Sequence, residues 1–278
     1  GGQAPPSRRA GQNAPAGVVL RYWLREAPDS NAVKVRLLDA SGTPIVTYTP
    51  KDTQNRLPIR KGGNTLVWNL RYAPAETFPG MILWGGGTQG PRAVPGRYTA
   101  RLIVGRDSVE APVELRADPR AAATPEDYAA QFAFLTQVRD KLTETHKAIK
   151  RIRDARDQIN GVVGRLPSGA QADSVKAQGR RLVRALTQVE EALYQTRNRA
   201  GQDPLNFPIK LNNRLSGVAS SAGSGDFRPT DQHEAVRREV TALIDAELAR
   251  LNTLLSTDVA AFNAAVRALN LDAVVIRP

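Results

Sequence analysis

His146 and His233 are the only two imidazoles in 278 residues, and the chain has no cysteine. The missing thiols exclude disulfides, thiolate nucleophiles and Cys-ligated zinc or iron–sulfur centres. Each histidine falls inside a helical pattern among charged residues, with no His-x3-His partner. Such an imidazole is expected to be satisfied or solvent-facing rather than a ligand or a base. No Gly-x-Ser-x-Gly elbow and no Asp-x-Asp-x-Asp-Gly calcium loop occurs. The carboxylate pairs Glu126–Asp127 and Glu190–Glu191 are adjacent on expected helices, where neighbours point about 100° apart. A glycosidase pair must instead face across a cleft of roughly 5–10 Å. These carboxylates read as helix-dipole and solubility charges. No catalytic, cofactor-binding or metal-ligating residue is therefore assigned, and no cofactor is expected.

The residues with the clearest capacity to bind lie between two expected strands. Ala73–Ala93, APAETFPGMILWGGGTQGPRA, is long for a connection between strands. It carries Phe78, Met81, Ile82, Leu83 and Trp84 beside three consecutive glycines, with Arg92 close behind. Large apolar side chains on an exposed loop need a partner. Phe78, Met81, Leu83, Trp84 and Arg92 are taken as the contact surface for a protein partner or a neighbouring domain. The competing reading folds Leu83 and Trp84 back over a sandwich edge or onto the next domain. The glycines do not cradle phosphate, because neither Gly-Lys-Ser/Thr nor a helix start follows them.

The net charge is +12, with 39 Lys and Arg against 27 Asp and Glu. Residues 1–120 hold 17 basic and 9 acidic side chains, and the remainder 22 and 18. The basic residues are scattered along strands and helices instead of forming one stripe with interleaved aromatics, so no nucleic acid is expected as a partner. The densest run, Lys147–Arg156, reads as the solvated face of a long helix. Binding of an acidic polymer through the basic surface stays as an alternative.

The elements that must position these residues fall in three zones. Residues 1–16 hold no large apolar side chain and are read as a flexible linker. Residues 17–118 alternate with period two in about seven short stretches, a pattern that predicts an immunoglobulin-like sandwich. Val18, Leu20, Tyr22 and Leu24 point to one face and Arg21 and Arg25 to the other. Asp39–Gly42 and Gly105 mark hairpins. Residues 119–278 switch to helical spacing and predict an antiparallel helical bundle. Its first helix starts at Thr124-Pro125-Glu126-Asp127 and runs about 35 residues, with a gap at Thr145 in its apolar stripe. The second is expected from about Gln171 to Arg199 and the third from Thr230 to about Leu269. Ile209–Val218 could form a short helix closing the bundle, and the apolar end LDAVVIRP is expected to pack on something. No apolar run approaches the roughly 20 residues that span a bilayer.

Several stretches carry a resemblance. Asp39–Gly42, Trp68–Asn69 and Pro95–Tyr98 stand in order along the sandwich, and Pro208–Asn213 (PIKLNN) and Arg228–Gln232 (RPTDQ) along the helices. Together they resemble the Ig-like module and C-terminal helical region of bacterial exported proteins with sortilin-like or sialidase-like Asp-box β-propellers. The sandwich is more distantly similar to the Ig-like domain of flagellar hook-capping proteins. The resemblance implies an extracytoplasmic accessory region that holds a propeller or another protein. The Asp-box repeats are missing here, so a glycan-hydrolase activity would belong to an upstream propeller. A part of such a hydrolase is the second alternative.

Overall fold

The computed structural model describes residues 13–53 and 56–270. Most of the expected linker and the apolar end, residues 271–278, lie outside the described residues. The chain divides into two compact units. One comprises the residues up to Ala73 together with Arg92–Asp118; the other joins Pro74–Pro91 to the residues from Pro119 onward. The loop between two strands thus groups with the helices.

The first unit holds six strands among the described residues, against about seven expected. These are β1 (Val18–Leu24), β2 (Val33–Leu38), β3 (Pro44–Tyr48), β4 (Gly62–Trp68), β5 (Gly96–Val104) and β6 (Asp107–Leu115). They form two open sheets, β1-β4 and β3-β2-β5-β6, in which every named pairing is antiparallel. Inward positions of both sheets meet in one core built around Val35, Leu37, Leu66, Trp68 and Tyr98, the two-layer arrangement of a sandwich. The Trp68 and Tyr98 rings meet edge to face at 5.4 Å.

The hairpins follow local chemistry. Asp39 turns β2 into β3 by accepting from the Ser41 and Thr43 amides, both at 2.9 Å, and from the Ser41 hydroxyl at 2.6 Å. The Ser41 hydroxyl bond, ahead of the amide bonds, holds the Asp39 carboxyl below its ordinary pKa. Gly105, at φ 60°, opens the two-residue turn between β5 and β6.

The second unit is a bundle. Helix α1 (Pro125–Arg165) begins at Thr124, whose side chain and that of Asp127 form a reciprocal capping box behind Pro125. Its 41 residues extend about 60 Å. Helix α2 (Ala170–Leu193) returns along it, α3 (Leu211–Ala222) is short, and α4 (Asp231–Thr253) starts from a second capping box between Thr230 and His233. A π-helical turn at Leu254–Asp258 leads into α5 (Val259–Arg267). The short helix expected near Ile209–Val218 is present as α3. One expectation is corrected: helix α2 stops at Leu193 instead of Arg199, because Tyr194 is extended and buried. The third long helix runs without a break from Asp231 to Arg267, with a π-helical turn at Leu254–Asp258 inside it.

The bundle core runs through Phe134, Val138, Ile149, Ile152, Leu186, Val189, Leu193, Leu215, Ile244 and Phe262. Thr145 does not interrupt it. Its hydroxyl donates to the Lys141 carbonyl at 2.7 Å, which satisfies the polar atom within the helix. No helix among the described residues is long and apolar enough to cross a membrane.

Candidate functional site

The loop Pro74–Pro91 is held by buried polar side chains of the helices. His146 on α1 is fully buried, and its Nδ1 lies 2.5 Å from the Glu76 carbonyl oxygen. A carbonyl can only accept, so Nδ1 carries the proton. Nε2 then accepts from Asn212 Nδ2 on α3 at 3.3 Å. Burial, above all, pushes the His146 pKa below its ordinary value, and the Lys150 ammonium adds to this against the opposing Glu76 groups. The Glu76 side chain reaches outward to Lys147 at 3.0 Å and Lys150 at 2.9 Å.

Phe78 sits in the bundle core, 4% exposed. It meets Tyr194 edge to face at 4.9 Å and His146 at 5.4 Å, and the Arg153 guanidinium lies 4.6 Å from its centroid. The Tyr194 hydroxyl donates to the Gly80 carbonyl at 3.2 Å and accepts from the Ile82 amide at 3.1 Å. Asn213 binds Trp84 from both sides: its Oδ1 accepts from the Trp84 amide and its Nδ2 donates to the Trp84 carbonyl, each at 2.7 Å. Ser216 donates to the Gly87 carbonyl at 2.9 Å. Gly86 passes so close to Ser216 that a β-carbon there would stand 2.2 Å from its hydroxyl oxygen. Only glycine permits that approach.

The sequence-selected surface is therefore divided. Phe78 is buried. Met81 and Leu83 are half-buried, and Trp84 is 40% exposed while its backbone is clamped. Arg92 belongs to the sandwich unit, where it faces Arg71 across an isolated bridge. The carboxylates also differ from expectation. Glu191 is exposed, but Glu190 is buried, with Oε1 accepting from Arg153 at 2.7 Å and Oε2 standing 2.6 Å from Arg156. Arg153 and Arg156 come from the run read as a solvated face. This is a structural ion pair in which both oxygens face a guanidinium. His233 serves the α4 cap, with Nδ1 3.1 Å from the Thr230 amide.

Tyr194, Asn212, Asn213 and Ser216 were not singled out as a site from sequence. The signal that pointed near them was the PIKLNN stretch, whose two asparagines now have distinct tasks on the loop. A cleft of about 350 Å³ lies elsewhere in the bundle, floored by Ile159, Val162 and Phe262 and rimmed by Arg151, Asp154 and Asn263. The Asp154 carboxylate there accepts from Gln158 at 2.9 Å. Among the described residues no three His, Asp or Glu side chains are grouped to hold a metal ion. No family model, curated protein or solved structure matches the chain at a significant level.

Proposed function

We propose that this chain is a non-catalytic binding or structural module, the accessory part of a larger exported bacterial propeller protein, and that it works through protein–protein or domain–domain contact. One observation carries the reading. The Trp84 amide and carbonyl are both bound by a buried asparagine while the indole remains 40% exposed. An aromatic presented on a backbone that is already ordered loses little freedom on binding, which is how interface anchors gain affinity. Met81 and Leu83 flank it on the same loop. The buried groups that could otherwise serve catalysis, His146 and Glu190, are committed to the loop backbone and to two arginines. The propeller and the extracytoplasmic location rest on the motif resemblance alone.

The test pairs this chain with a separately expressed sortilin-like Asp-box β-propeller. Trp84→Ala is expected to weaken that association at least tenfold while leaving the melting temperature within about 1 °C, because the indole is not core. Unchanged association of the Ala variant would remove the anchor. Glycoside turnover by a longer chain that carries the propeller, with none by this chain alone, would favour the hydrolase alternative.

A further inference from the structure

Away from the loop, the outer face of the two-stranded sheet carries Trp23, 66% exposed. In the β1–β4 ladder Trp23 stands opposite Gly63 and Arg21 opposite Thr65. The residue across the ladder thus has no side chain with which to cover the indole. Alternation puts Arg21 on the same outward face, and both it and Thr65 are exposed. At the same end of the sheet Arg25 follows β1, and Arg60 and Lys61 precede β4; all three are exposed.

The inner face of the same ladder fixes that basic end. Tyr22 and Asn64 are cross-strand partners. The Tyr22 hydroxyl donates to the Pro58 carbonyl. Asn64 accepts from the Arg60 amide at 3.0 Å and donates to the carbonyls of Arg60 at 2.7 Å and Gly62 at 3.0 Å. The segment bearing Arg60 and Lys61 is therefore set by half-buried hydrogen bonds. Among the described residues, none of Arg21, Arg25, Arg60 and Lys61 forms an ion pair. Against these four cations, residues 21–26 and 58–65 contain one carboxylate, Glu26. Unpaired cations beside an uncovered aromatic plane raise the local concentration of anions.

We infer that Trp23 with Arg21, Arg25, Arg60 and Lys61 forms a binding face for an anionic polysaccharide. A pyranose ring would lay its C–H face on the negative face of the indole, and the guanidinium and ammonium groups would take its carboxylates or sulfates. Three features favour a glycan over other polyanions. Single-stranded nucleic acid binders stack successive bases on several aromatics, whereas the other outward positions of this ladder are Val19, Val67 and Thr65. An acidic peptide would need a pocket for an apolar anchor, and this face is open. A sugar ring needs one flat aromatic surface and charges at its edge. The inference is independent of the Trp84 contact, since the two tryptophans belong to different units.

The experiment is affinity electrophoresis and titration calorimetry of the full chain with sodium polygalacturonate, heparin, neutral dextran and oligo-dT. Binding is expected to polygalacturonate or heparin and not to dextran; binding to heparin without binding to polygalacturonate would point to sulfate recognition. Trp23→Ala is expected to lower that affinity about tenfold with unchanged circular dichroism. The pair Arg60→Gln and Lys61→Gln is expected to lower it severalfold and to flatten its salt dependence. No binding to either anionic glycan, equal binding to dextran, oligo-dT binding as tight as the glycan, or full affinity in Trp23→Ala would each overturn the proposal.

Discussion

Burial keeps the His146 imidazole neutral, and this ties the stability of the loop to pH. Its folded pKa lies below the ordinary 6.5, so over the interval between the two values the unfolded chain binds more protons than the folded one. Stability is then fully present above about pH 6.5 and is lost as pH falls toward the folded value. The slope within that interval approaches about 1.4 kcal/mol per pH unit. Urea midpoints at pH 7.5 and 5.5 should fall more for the parent than for His146→Gln, which cannot titrate. Equal falls would show that His146 contributes nothing to the acid sensitivity. From sequence, His146 was expected to be satisfied or solvent-facing, and it is satisfied. What spacing could not indicate was its acceptor, the Glu76 carbonyl 70 residues away in the chain. Glu190 shows the same limit. Adjacency to Glu191 suggested a surface charge, because helical periodicity says which face a residue shares and nothing about a pair of arginines approaching from another helix.

At the scale of elements, Gly179 is a point where three helices come close together. It is buried on α2, and a β-carbon there would stand 2.5 Å from Val163 of α1 and 3.0 Å from Phe262 of α5. Gly179→Ala would gain up to about 1 kcal/mol of helix propensity in isolation. Contacts that short require branched and aromatic neighbours to move, which costs about 1–3 kcal/mol. The variant is therefore expected to be less stable than the parent by thermal melting at 222 nm, and a raised midpoint would show that α1 and α5 yield easily. The helix starts were legible because caps are local: Thr124 and Thr230 precede acidic first turns. The end of α2 was not. Residues 194–199 show no breaker before Gly201, and Tyr194 leaves the helix because its hydroxyl finds Gly80 and Ile82 on the loop. The π-helical turn at Leu254–Asp258 is equally silent in sequence, since the apolar spacing continues across it. Trp23 did leave a trace. It falls between Arg21 and Arg25 in the outward register, the place where an alternating strand puts its solvent-facing residues.

For the whole molecule, chain order and packing order disagree at one segment. Phe78 follows β4 and precedes β5, yet its ring lies among α1 and α2 side chains in the bundle core. Sequence reading placed the residue on an accessible loop, because a run of apolar residues between two strands carries no mark of which core will receive it. The consequence is measurable, since the two units have different reporters. Among the described residues, all five α-helices lie in the second unit, so ellipticity at 222 nm follows the bundle. Trp68 is fully buried in the sandwich core. With Trp23→Phe and Trp84→Phe as background, Trp68 remains as the sole indole among the three tryptophans of the chain. Phe78→Ala removes a buried aromatic and is expected to cost the bundle about 3–5 kcal/mol. In urea, the 222 nm midpoint should fall well below that of the background protein, while the Trp68 emission midpoint should move less. If the Trp68 transition moves by the larger amount, the ring stabilises the sandwich in which its neighbours in sequence reside. The assignment of Pro74–Pro91 to the helical core is then wrong.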